Sequence, residues 1–395
     1  MRNLQQNVDL PPLETRSGGI FPPPHLVPEM EEIRPEKFDD DLNAARLNRI
    51  LQPYSRSATL LPLAVLVLDL SLYWVTLLSA LVAESLWAKL ILSIFSGFEI
   101  GLLFIVGHDC CHGSFMKSRL VNKIVGRIVF LPALHPFSLQ SLWHNRTHHR
   151  YTNWRVKDFL FAPLSRVEYE RLGTVKKILY RLYRTSVGHG FYYMNEIWVK
   201  KMMFPPRSAT ASNRAACFWD RALVWSWLVL FLAGLCAFPA LVSRWEFPGV
   251  AVWSCLVFGF VIPFQVWNWS MGFLIYQHHT HPRVAWFDDF AEWDYIHAQI
   301  EETVHIRFPR ILNFLIHNIM EHTAHHAQTQ IPMYYLKGAQ DALEKDYASR
   351  MINVRWTFRE YFLTLRDCKL YDYKNHHWLD FNGIRTSPCT VGSVN

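Results

Sequence analysis

Eleven of the 19 histidines fall in four short stretches. "HDCCH" carries His108 and His112, and "HNRTHH" carries His144, His148 and His149. "HHTH" carries His278, His279 and His281, and "HTAHH" carries His322, His325 and His326. A lone histidine is usually an ordinary surface or core group, and that reading suits His25, His189, His297, His376 and His377. The clusters differ from these in spacing. Pairs at i,i+4 and i,i+3 stand on one face of a helix, one turn apart. Two imidazoles so placed can bind one ion, or turn to each of two adjacent ions. Four ligands complete a structural zinc site, and nine or so exceed any single ion. Two metal ions are the economical count. Imidazole suits zinc, copper, iron and nickel alike, so ligand type alone does not name the metal.

What must position these side chains is a set of long apolar runs. Residues 59–82, 86–106, 222–242 and 250–276 each supply the roughly 20 residues needed to cross about 30 Å of hydrocarbon. Asp69, Lys89 and Glu99 interrupt the first two. Both 86–112 and 250–276 make helices of about 40 Å, longer than the hydrocarbon is thick. Histidine-rich sequence begins where each would emerge. Residues 122–135 are apolar but too short to span, and fit a helix lying in the interface or docked on the spans.

Orientation follows the lysines and arginines. Segment 107–218 holds 18 of them against five acidic residues, whereas turns 83–85 and 243–249 hold only Arg244. Both termini and the middle segment are therefore expected on the cytoplasmic side, with all four clusters in one cap. The net charge of +7 suits anionic headgroups or an acidic protein partner. No nucleic-acid motif accompanies it. Seven cysteines, an odd number without a C-x-x-C pair, outline no disulfide framework and fit a reducing compartment. The N-terminus shows no signal-peptide pattern and is Pro-rich to about residue 36, as an extended or disordered segment would be.

The order and spacing of "HDCCH", "HNRTHH" and "HTAHH" resemble the three histidine boxes of the membrane fatty acid desaturase and hydroxylase superfamily. "GHDCCHGSF" is close to the style of acyl-lipid desaturases, and "QHHTHP" at 277–282 resembles the element that precedes their third box. The resemblance covers about residues 59–336. It implies four spans, two non-haem irons, activation of O2 and removal of hydrogen from an unactivated C–H bond of a lipid chain. It carries ligand roles to His108, His112, His148, His149, His322, His325 and His326. It makes His279 the extra ligand, ahead of His278 and His281. The second box reads H-x-x-x-H-H where desaturases usually have H-x-x-H-H, a form found in alkane hydroxylase-like members. His144 is taken as the ligand because i,i+4 keeps it on the face of His148. Asn145, bridged by water, is the alternative. Cys111 stands where glycine is common.

An unactivated C–H bond needs a strong metal-centred oxidant, which redox-active iron supplies and zinc does not. Asp109, Asn145, Asp158 and Glu321 lie near the boxes as partners that could orient imidazoles. Membrane-embedded carboxylates are expensive, so Glu99 is a pocket candidate together with Trp267, Trp269 and Phe273. Electrons must come from a separate donor, ferredoxin or cytochrome b5-like, since the chain has no dinucleotide fingerprint and no evident haem-binding domain. The expected fold class is all-α: a multi-pass membrane protein of four transmembrane helices, with a cytosolic helical cap holding a histidine-rich di-metal site. The expected parts are an N-terminal segment 1–45, a desaturase-like domain 46–345 and a cytosolic C-terminal segment 346–395. The expected activity is desaturation of a fatty acyl chain. Hydroxylase, ketolase or acetylenase chemistry would share the site and the hydrogen-abstraction step. A metal transporter is the remote alternative. It would place polar ligands inside the spans and repeat its halves, and the chain shows no internal repeat.

Overall fold

The computed structural model describes residues 42–207, 210, 213–245 and 250–391. Most of the expected N-terminal segment lies outside them. Four helices are long and apolar enough to cross a membrane: Leu60–Val82, Leu86–His112, Arg214–Val242 and Val252–His279. They are named here spans 1 to 4. Spans 2 and 4 outrun the hydrocarbon as expected, and their last turns carry His108, His112, His278 and His279. Span 3 starts earlier than its apolar run, at Arg214, because a helix continues past the hydrocarbon where its residues still favour helix. Its flanks are almost wholly outward-facing, with Val229 and Leu230 exposed, as lipid contact requires.

Spans 2 and 4 meet through small residues. A Cβ on Gly97 would lie 2.6 Å from the Val266 side chain, so the two backbones approach as small residues allow. Span 4 widens into a π-helical turn at Val257–Val261. Inside that turn the Phe258 carbonyl accepts a 2.7 Å hydrogen bond from Ser93 on span 2. The charges that interrupt the apolar runs find partners. Lys89 donates to the Leu81 and Ala80 carbonyls, closing the end of span 1. Asp69 lies 2.8 Å from His317 of the cap.

The expected interface helix forms at Arg119–Val129, capped by Ser118. It buries Asn122, Gly126 and Val129 and turns Leu120, Ile124 and Ile128 outward, the arrangement of a helix lying against lipid. The cap is built mainly from short helices. Among the described residues it also holds two small two-stranded sheets, which qualify the all-α expectation in detail though the chain is mostly helical. β1 (Val304–Arg307) pairs in parallel with β2 (Ile352–Arg355), and β3 (Leu370–Asp372) pairs antiparallel with β4 (His377–Leu379).

The C-terminal residues are woven into the cap. The Leu336–Tyr347 helix runs through position 345, β2 reaches back to β1, and the Trp378 indole donates to the Val284 carbonyl. The division drawn at 345 therefore has no counterpart in the packing. Strands this short carry no periodicity from which the pairing could be read.

Candidate metal centre

Nine histidines converge in two groups. Nitrogens of His108, His112, His144, His149 and His325 lie within 4.8 Å of one another, and so do those of His148, His279, His322 and His326. The adjacent pairs split between them. His149 and His325 enter the first group, and His148 and His326 enter the second. Neighbours on a helix point about 100° apart, so each pair can serve two centres.

The stretch His144–His148 is a π-helical turn, with the His149 amide donating to the His144 carbonyl. This corrects the reason given for His144. It does not join His148; it sits 2.7 Å from His108 Nε2 and 2.9 Å from His149 Nε2, in the other group. Asn145 turns away, its amide donating to the Cys111 carbonyl and the Ser141 hydroxyl.

The nitrogen spacing tests whether an ion fits. His108–His144, His144–His149, His279–His322 and His149–His325 Nε2 pairs stand 2.7, 2.9, 2.9 and 3.1 Å apart. Ligands about 2.1 Å from one ion at right angles are about 3 Å apart. The Nε2 atoms of His112 and His326 are buried without a hydrogen-bond partner, which metal ligation would satisfy. Burial, reinforced by neighbouring imidazoles, holds His144, His149, His322, His325 and His326 well below the usual histidine range. They are neutral at physiological pH, the form that binds metal.

Outer partners fix ring orientation. Asp158, fully buried, accepts from His148 Nδ1 at 3.0 Å and from the Asn153 amide. With Nδ1 protonated toward Asp158, Nε2 keeps its lone pair and could offer it to a metal ion. Gln299 does the same for His326, whose Nδ1 lies 2.8 Å from its Oε1, while its Nε2 donates to the His149 carbonyl. Gln340 accepts from the Ala324 amide and props the His322–Ala327 helix. Asp109 lies 3.5 Å from His108 Nδ1 and accepts from the Met333 amide. The Glu321 carboxylate meets His305 and Asn313 instead of an imidazole of the nine. Gln299 and Gln340 have no signal in the sequence, because a buried glutamine outside a box looks like any polar residue.

An apolar cavity opens onto both groups. His108, His144, His148, His279 and His322 line one part of it, and Phe104, Ile105, Trp143, Ile197, Met202, Met271 and Ile275 line much of the rest. None of the four pocket candidates lines it. Trp267 is fully buried among Phe104, His135 and Tyr193; Trp269 donates to the Ser186 carbonyl; Phe273 packs on Tyr361; Glu99 sits on span 2 toward Asp69. Aromatic content marked three of them and the cost of an embedded carboxylate marked Glu99, but a helix turns only part of its face to the cavity.

The fatty acid desaturase family model matches residues 85–358, which include all nine histidines. The chain belongs to the fatty acid desaturase family. This desaturase is 30% identical over 293 residues to an sn-1 oleoyl-lipid 12-desaturase of a Synechocystis species, covering 74% of this chain and 78% of the relative. It is 29% identical over 303 residues to the sn-1 oleoyl-lipid 12-desaturase of a Picosynechococcus species, covering 76% and 82%. A chloroplastic omega-6 fatty acid desaturase of Arabidopsis thaliana is 27% identical over 311 residues, covering 77% and 64%. The desaturase is an oxidoreductase acting on fatty acyl chains, and its four apolar helices make it an integral membrane protein.

Of the histidines set aside as ordinary, His189 is buried against Tyr276, His297 pairs with Glu301 and His376 with Glu292. His278 stacks on His322 with ring centroids 3.8 Å apart, outside both groups. His25 lies outside the described residues.

Proposed function

We propose that this desaturase holds two iron ions and inserts a second double bond into a monounsaturated chain of a membrane lipid, at the 12 position named for its relatives. One ion would be held by His108, His112, His144, His149 and His325, and the other by His148, His279, His322 and His326. The observation that carries this reading is the apolar cavity with both histidine groups in its wall. When bound, redox-active iron with O2 supplies the oxidising power to break unactivated C–H bonds.

The chain's own residues do the rest. The cavity's aliphatic and aromatic wall takes the acyl chain from lipid, excludes water and limits which carbons approach the histidines. Asp158 and Gln299 hold ring protons at Nδ1 of His148 and His326, keeping the opposite nitrogens unprotonated. The balance sets the partners. Two C–H bonds, O2, two electrons and two protons give one C=C bond and two waters. A one-electron donor such as a ferredoxin or cytochrome b5-like protein must therefore supply reducing equivalents. The basic segment 107–218 favours an acidic donor and a cytoplasmic cap.

The test is expression, with a matched donor and reductase, in cells whose lipids contain only monounsaturated chains. Diunsaturated chains are expected in the lipids, and about two irons per chain in the purified protein. A hydroxylated product from iron-loaded protein, or tightly bound zinc in place of iron, would overturn the reading.

A further inference from the structure

Two span carboxylates, Asp69 on span 1 and Glu99 on span 2, lie outside both histidine groups, and one of them reaches the cap. Asp69 sits in the middle of span 1, buried, with its Oδ2 2.8 Å from His317 Nε2. Glu99 of span 2 lies within electrostatic reach of both. An embedded carboxylate is retained at a cost, and its partner indicates its use.

His317 belongs to the turn that joins the Arg310–Leu315 helix to the His322–Ala327 helix. His317 and Asn318 both hold φ at +55°, a conformation costly for residues other than glycine. Asn318 is held from the cap side. Its amide donates to the Asn313 carbonyl and its side chain to the Met333 carbonyl. His317 turns the other way, into span 1. Ile319, the next residue but one, lines the cavity, and so does His322. The turn thus carries one wall residue and one histidine of the second group on the same short piece of chain. The other wall residues come from spans 2 and 4 and from the segments 140–160 and 193–202.

We propose that the Asp69–His317 bridge is a positioning device. It fixes the height of the turn against span 1, holds Ile319 and His322 in register with the walls of spans 2 and 4, and so sets which carbon of the chain lies opposite the histidines. The proposal rests on the cavity being the acyl-chain site. Span 1, which supplies none of the nine histidines, thereby becomes a determinant of regiospecificity.

The test compares Asp69→Asn, His317→Asn and the exchanged pair D69H/H317D in full-length protein, in membranes supplied with 16-carbon and 18-carbon monounsaturated chains. His317→Asn removes the imidazole but keeps a residue that tolerates positive φ. The readouts are iron per chain and, by mass spectrometry, the position of the attacked carbon. That position can be read whether the product carries a double bond or a hydroxyl, so a failure of the desaturation reading is distinguishable from a failure of the bridge. Pockets discriminate one methylene by about tenfold. The expected result is an about tenfold change in the ratio of attacked positions or chain lengths in each single variant at unchanged iron content, with the ratio restored in the exchanged pair. An unchanged ratio in both single variants, or variants that lose iron and activity together without altering it, would overturn the proposal.

Discussion

At the scale of single residues, the centre depends on which ring nitrogen of each histidine keeps its lone pair. His148 and Asp158 make the comparison sharp. Removing the imidazole in His148→Ala deletes one of four nitrogens in the second group. Asp158→Asn leaves the imidazole and changes what holds its Nδ1 proton, together with the carboxylate that accepts from the Asn153 and Leu160 amides. Loss of such an outer partner typically costs about 10- to 100-fold in metal affinity or activity. The expected outcome is graded: no detectable turnover and iron lost from His148→Ala, and an intermediate loss of both in Asp158→Asn, with both proteins still inserted. Metal analysis beside lipid analysis checks it, and equal activity in the wild type and His148→Ala would remove that histidine from the site. The box histidines were legible because helical spacing and clustering report a face. Their assignment to two groups was not, because the π-helical turn at 144–148 shifts His144 away from the partner that simple i,i+4 spacing names.

At the scale of elements, the four spans could be read from their apolar runs, since nothing else explains helices with almost no polar face. The cap could not. Its wall residues, such as Ile197 and Met202, lie in a π-helical stretch with no motif, and its strands are four residues long or less. What joins its segments is a buried polar knot. Asn153, at φ +59°, donates to the carbonyls of both Ala285 and Glu302. The Glu302 carboxyl in turn accepts from the Ala285 amide. Burial raises the Glu302 carboxyl from 4.5 to about 8. The folded protein therefore keeps a proton there that the unfolded chain releases. The group's contribution to stability is full below pH 4.5, declines as pH rises and is lost by about pH 8. Glu302→Gln cannot ionise. Its thermal midpoint in detergent should fall less than that of the wild type between about pH 5 and about pH 8. Parallel curves for the two proteins would show that Glu302 is not protonated in the fold.

At the scale of the whole molecule, the helices fix a sidedness that charge then assigns. The C-terminal ends of spans 1 and 3 lie at one end of the bundle. The chain enters span 1, leaves span 2, enters span 3 and leaves span 4 at the other end, where the histidines and the C-terminal residues gather. Eighteen of the 40 lysines and arginines lie in segment 107–218 at that end, so the reading proposed here turns it to the cytoplasm. The native cysteines provide the first measurement. Cys110, Cys217, Cys255 and Cys368 are buried, Cys111 is half-buried, and exposed Cys236 lies on span 3 within the lipid-facing surface. Cys389 is exposed on the cap side. A water-soluble, membrane-impermeant maleimide should therefore label Cys389 in inside-out vesicles and leave it untouched in sealed right-side-out ones. Ser243→Cys, at the exposed far end of span 3, should gain label only in the right-side-out vesicles. Labelling of Cys389 from outside would invert the orientation, and with it the compartment from which an electron donor could reach the histidine centre.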